Sequence, residues 1–195
     1  MITAWLRAAR GRMLPLTRWV TPSRTAASVL DLSPQDLRAG GVRGLILDLD
    51  NTVVPWGSAA PSADVVRWVS AVRAAGLAVC IVSNSFTSRA RRVGEILGVP
   101  VVSWAAKPAP WAFRRALRVL GTAPAQTALV GDQLFTDILG GNLLGLRTIL
   151  VEPLSPREFV TTRWVRRLEA AVRRMVGGGP GGGTAGDSHQ QPGDD

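Results

Sequence analysis

The stretch Gly44-Leu45-Ile46-Leu47-Asp48-Leu49-Asp50-Asn51-Thr52 decides the fold. Its opening residues are apolar without polar alternation, the pattern of a strand covered on both faces. It ends in carboxylates, so a buried strand over 44–49 would deliver charge to one edge of a sheet. A strand covered on both faces belongs in a parallel sheet with helices above and below.

The neighbouring sequence repeats the pattern. Further short apolar runs at Leu77–Val82, Val99–Trp104, Thr127–Gly131 and Arg147–Val151 predict four more strands. Helical patterns lie between them. One opens at Pro61-Ser62, carries Val65, Val66, Trp68, Val69 and Val72 on one face and stops at Gly76. A polar, Arg-rich one spans Ser88–Leu97 before Gly98, and a third spans Pro108–Leu120 before Gly121, with Pro in its first turn. Asp137–Gly145 reads as a short helix or loop. Strands alternating with helices predict an α/β, Rossmann-like parallel sheet with helices on both faces.

Composition limits the alternatives. The chain has 195 residues, 46% of them hydrophobic, which suits one domain with extensions. Mean hydropathy is +0.15, and no run approaches the roughly 18 apolar residues of a spanning helix. Its single cysteine, Cys80, excludes an internal disulfide and a Cys-based zinc site, and is expected in the core. The only histidine, His189, lies in the Gly-rich tail at 177–195, which is expected to be unfolded. His-dependent catalysis is therefore not expected.

Net charge is +9, and of 23 basic residues only Lys107 is lysine. The excess sits on the flanks: five Arg and no acid in residues 1–30, and six Arg against Glu158 and Glu169 in 155–176. We therefore expect a basic N-terminal arm over 1–30, a catalytic domain over 31–176 and a tail over 177–195. The arm lacks the apolar stretch of a secretory signal. It has the Arg-rich, acid-free character of a mitochondrial presequence, but Arg is used throughout this chain. A cytoplasmic protein is expected, peripheral at the inner membrane surface if the basic flanks engage anionic lipid. Glu158–Val176 reads as an amphipathic helix that packs its stripe on the sheet, lies on a membrane with Trp5, Trp19 and Trp164 in the headgroup region, or does both.

Four polar clusters fall at the carboxyl ends of successive predicted strands: Asp48/Asp50, Ser83/Asn84, Lys107 and Asp132/Asp137. Ligands bind at that edge in open α/β sheets. Asp48, Asp132 and a backbone carbonyl offer hard oxygen ligands suited to Mg²⁺. A phosphate there would meet the compact ammonium of Lys107 and the hydroxyl of Ser83. Asp48 is then placed to attack phosphorus, and Asp50 to protonate the leaving oxygen and activate water. Thr52 is expected to bond back to the turn, and Asp137 to orient Lys107 or metal-bound waters.

These segments resemble the four motifs of haloacid-dehalogenase-superfamily phosphatases, in order: Leu47-Asp48-Leu49-Asp50-Asn51-Thr52, Val82-Ser83-Asn84, Lys107-Pro108 and Gly131-Asp132-Gln133-Leu134-Phe135-Thr136-Asp137. Asp31-Leu32-Ser33-Pro34 and Thr148-Ile149-Leu150-Val151 extend the resemblance to the YqeG-type subfamily IIIA phosphatases. It implies Asp48 as nucleophile, Asp50 as general acid/base, Ser83, Asn84 and Lys107 as phosphate binders, and Asp48, Asp50 and Asp132 as the metal residues. Thr52 and Asp137 support them. The chain departs from the pattern at Ser85, where relatives often have Asn, and at Leu143, where a basic residue is common.

Only 30 residues separate Thr52 from Ser83 and 23 separate Ser83 from Lys107, each interval filled by one helix and one strand. No room is left for a cap domain. An open site favours a substrate whose bulk stays outside: a lipid head group, a protein or nucleic-acid end, or a sugar phosphate enclosed by a second subunit. The resemblance implies a phosphatidylglycerophosphate-like lipid. A small soluble phosphomonoester is the alternative, and a non-catalytic phospho-regulatory or nucleic-acid-binding protein the rival class. Nucleic acid is not the expected partner, since no binding motif accompanies the charge. Trp56 reads as a substrate contact or a local packing residue, Trp68, Trp104 and Trp111 as packing residues, and Arg91-Arg92 as a solvated helix face.

Overall fold

The computed structural model describes residues 17–85 and 88–155. The expected helix Glu158–Val176, the Gly-rich tail, Trp5 and Trp164 lie outside the described residues.

Six parallel strands form one sheet: β1 (Arg24–Ala26), β2 (Gly44–Leu47), β3 (Ala78–Val82), β4 (Val101–Val102), β5 (Thr127–Gly131) and β6 (Arg147–Val151). Their order across the sheet is β1-β6-β5-β2-β3-β4, so β2 sits between β5 and β3. Among the described residues, the helices that cover the sheet are α1 (Pro34–Ala39), α2 (Ala63–Ala74), α3 (Ser88–Leu97), α4 (Pro110–Leu120) and α5 (Leu139–Leu143).

The uninterrupted apolar strands have a direct packing reason. Alternate side chains go to opposite faces. Leu45, Leu47, Val79, Ile81, Ala128 and Val130 join one buried cluster with Val65, Trp68, Val69 and Val72 of α2 and Ala90, Val93 and Leu97 of α3. Ile46, Cys80, Val82 and Leu129 join the other, with Ala112, Phe113, Ala116 and Leu120 of α4. Burial also pushes the Cys80 thiol up to about 12, so this residue is an inert core group.

α2 is capped by Ser62, whose Oγ accepts the Val65 N–H at 3.3 Å. Trp68 lies in the core as expected, and its indole N–H donates to the Leu32 carbonyl at 2.8 Å. α4 begins with Pro110 and ends at Gly121, whose φ of 65° closes the helix.

Several expectations need correction. The sheet starts at Arg24–Ala26, inside the segment read as an arm, because these residues pair with Ile149–Val151 of β6. Three residues are too short a strand to leave a periodic signal. The third expected strand, Val99–Trp104, shrinks to Val101–Val102 at the sheet edge. Beyond it Trp104 takes a φ of 58° and is exposed, as is Trp111, so neither is the packing residue expected. Asp137 does not start the next helix: a wide π-type turn runs through Leu134–Ile138 before α5. No described helix is long and apolar enough to cross a membrane.

Candidate active site

Each expected polar cluster sits just beyond the end of a strand. Asp48 follows β2 directly and its N–H still donates to the Val130 carbonyl at 2.9 Å, so its position is fixed by the last rung of the β2–β5 ladder. The chain then turns sharply. Asn51 has a φ of 60°, a conformation Asn tolerates better than most residues, and its N–H reaches the Val54 carbonyl at 2.7 Å. The N–H groups of Val53 and Val54 both donate to Leu49 O at 3.0 Å. Backbone bonds therefore hold the turn. The Thr52 hydroxyl is buried with no hydrogen-bond partner among the described residues, so the bond back to the turn expected of it is not made.

Ser83 is buried at the end of β3, and its Oγ accepts the Ser85 N–H at 3.0 Å. Its carbonyl accepts from Ala105 N–H at 3.1 Å, and Asn84 Oδ1 accepts the Lys107 N–H at 2.7 Å. The second cluster thus anchors the loop that carries the lysine. Asn84 itself is exposed at the rim.

Lys107 is buried, and its Nζ hydrogen-bonds to Asp48 Oδ1 and, at 2.6 Å, to Asp137 Oδ1. Burial alone would lower the ammonium pKa, but Asp137 and Asp48 outweigh it and hold the lysine charged well above its usual range. Asp137 arrives through the wide turn after β5 and braces it, accepting the Gln133 N–H on Oδ2 at 3.2 Å. Gly131 makes this possible: a Cβ there would lie 2.4 Å from the Asp137 carboxyl carbon.

Asp48, Asp132 and Asp137 each bring a carboxylate oxygen within 4.8 Å of the other two, all three buried. Burial first, and the neighbouring carboxylates Asp48 and Asp137 next, push Asp132 up to about 8. Burial likewise raises Asp48 to about 7, with the Lys107 ammonium opposing the shift. Three carboxylates facing one ammonium need further positive charge, and hard oxygen donors this close fit a divalent cation such as Mg²⁺.

The cluster differs from the expected set. Asp137 joins Asp48 and Asp132, whereas the Asp50 carboxylate turns away to Arg89, with Nη2 to Oδ1 at 2.5 Å. Arg89 also donates from Nη1 to the Ser58 carbonyl at 3.1 Å. It ties the start of α3 to the loop after the first motif and fixes the Asp50 side chain. Sequence reasoning missed it. Arg89 stands close to Arg91 and Arg92, and nothing in a run of arginines marks the one that faces inward.

A HAD-hydrolase-like family model matches residues 104–153, which carry Lys107, Asp132 and Asp137. The chain is 34% identical over 157 residues to the probable phosphatase YqeG of Bacillus subtilis, covering 80% of this chain and 91% of that one. It is 33% identical over 164 residues to the chloroplastic/mitochondrial phosphatidylglycerophosphate phosphatase 1 of Arabidopsis thaliana, covering 74% of this chain and 45% of that protein. The solved HAD phosphatase from Thermococcus onnurineus superposes with a TM-score of 0.44 at 21% identity, over 60% of this chain and 59% of that one.

Proposed function

Because this chain belongs to the YqeG-type phosphatases of the haloacid-dehalogenase superfamily, we propose that it is a Mg²⁺-dependent phosphomonoester hydrolase acting through an aspartyl-phosphate on Asp48, with a phosphatidylglycerophosphate-like lipid as substrate. The observation that carries the reading is the buried Lys107 bridging Asp48 and Asp137 at the carboxyl edge of the sheet.

Lys107 and the Ser83 hydroxyl bind the non-bridging phosphoryl oxygens. A carboxylate oxygen of Asp48 attacks phosphorus as the bond to the ester oxygen breaks, and Asp50 gives the leaving oxygen a proton. Asp50 then takes a proton from water, whose oxygen attacks the aspartyl-phosphate. Inorganic phosphate leaves and the Asp48 carboxylate is restored. Arg89 holds the Asp50 carboxylate off the acidic cluster. When bound between Asp48, Asp132 and Asp137, Mg²⁺ supplies the positive charge that lets two anions approach each other.

A lipid substrate is supported by the family relationship to a phosphatidylglycerophosphate phosphatase and by chain intervals too short for a cap domain. The test is phosphate release by the full chain from lipid and soluble phosphomonoesters, with and without Mg²⁺, beside Asp48→Asn. Mg²⁺-dependent release that is lost in the variant is expected. Equal release by Asp48→Asn overturns the mechanism, and release from soluble esters alone overturns the lipid substrate.

A further inference from the structure

Four of the eight large exposed apolar side chains among the described residues lie on the side of the sheet that carries Asp48. Trp56 is 44% exposed, Trp104 62%, Trp111 45% and Leu154 41%. All four follow the carboxyl ends of strands. Trp56 stands in the loop after β2, its N–H bonded to Asn51 Oδ1 at 3.2 Å. Leu154 follows β6, its N–H bonded to the Asn51 carbonyl at 3.0 Å. Trp104 follows β4, and Trp111 lies in the first turn of α4, just beyond Lys107. Together they span the sheet from β6 to β4 around the buried Asp48.

Trp104 combines the highest exposure of the four with a φ of 58°, a conformation that is costly for a bulky side chain. Arginines of α3 stand beside this edge. Beside the loop at Ala59, an open cavity of about 600 Å³ is lined by Arg89, Arg91 and Arg92 together with Ser88 and Glu95. Tryptophan with arginine is the combination that settles at a bilayer interface: the ring sits among the headgroups while guanidinium groups meet lipid phosphates.

We propose that this edge is a membrane-docking face, in which Trp56, Trp104, Trp111 and Leu154 enter the headgroup region of an anionic bilayer and Arg91 and Arg92 contact its phosphates. Docking brings a lipid phosphomonoester to Asp48 without the lipid leaving the bilayer. The proposal rests on the lipid-substrate reading for its purpose, but the surface can be tested separately.

The experiment is co-sedimentation of the full chain with phosphatidylcholine vesicles, with and without phosphatidylglycerol, for the wild type and Trp104→Ala/Trp111→Ala. Bilayers carrying brominated acyl chains report insertion by quenching tryptophan fluorescence. A thermal melt controls for folding, and each single variant stands in if the double variant is unfolded. The wild type is expected to bind the anionic vesicles and be quenched, and the double variant to lose at least about tenfold in partitioning. Wild-type protein left in the supernatant, or a folded variant that binds equally well, overturns the docking face. So does a vesicle-free dimer that the substitutions abolish, which assigns the face to a second copy. Failure of the wild type to release phosphate from a lipid phosphomonoester dispersed in detergent overturns the lipid reading instead and leaves the vesicle result standing.

Discussion

Replacing Asp132 with Asn should stabilise the metal-free protein while abolishing its response to Mg²⁺. Burial and the adjacent Asp48 and Asp137 raise Asp132 from 3.8 to about 8. In the unfolded chain this carboxyl ionises near pH 4, so in the intervening range the folded state binds the extra proton. The stabilising contribution of a raised carboxyl is complete below pH 3.8 and is lost as pH rises to about 8. At about 1.4 kcal/mol per pH unit, the cost at pH 7.5 is on the order of 5 kcal/mol. The amide keeps the shape and removes the charge. A realised gain of even about 2 kcal/mol would raise the midpoint by about 4–8 °C for a domain of this size. The assay is urea or thermal unfolding of both proteins in chelator at pH 5.5, 6.5 and 7.5. The variant's advantage should widen with pH, because only the wild type must lose that proton. Added Mg²⁺ should then stabilise the wild type, with proton release, and leave Asp132→Asn unmoved. A variant less stable than wild type in chelator at pH 7.5, or a gap that narrows as pH rises, would refute the reasoning.

Two further substitutions probe the cationic partners. Lys107→Arg keeps the charge, but a planar fork cannot occupy the point between Asp48 and Asp137. Turnover should fall by about 10²–10³-fold, measured as kcat on a soluble phosphomonoester, and near-normal activity would remove Lys107 from its assigned role. Arg89→Ala frees Asp50 and the loop at Ser58, so kcat should fall by about tenfold or more with little change in KM, and Arg89→Lys should restore part of it. An equal loss in the Lys variant, or a change confined to KM, would argue against positioning of Asp50.

The sequence exposed what depends on local pattern. β2, β5 and β6 and helices α2 and α3 were legible because both-face burial and a helical stripe leave periodic marks, and the carboxylates of Asp48, Asp132 and Asp137 interrupt those marks at the strand ends. What long-range pairing decides was not legible. Arg24–Ala26 is a strand only because β6 offers it an edge. That Asp137, and not Asp50, completes the acidic cluster follows from the wide turn after Gly131, which no 3.6-residue count anticipates. Arg89 looks like its neighbours until Asp50, 39 positions earlier, is brought beside it. Trp104 and Trp111 read as packing residues, yet both are exposed beyond the short β4.

The order of strands has a consequence for partly unfolded forms. Asp48 leaves β2, Lys107 follows β4 and Asp132 leaves β5, so the three meet only when these strands share one sheet. Slippage between β2 and either neighbour separates the carboxylates from each other or from the ammonium. A form that had lost one edge of the sheet would keep much of its secondary structure and none of the assembled charge cluster. Hydrolysis is thus expected to report on whether β5, β2, β3 and β4 remain joined.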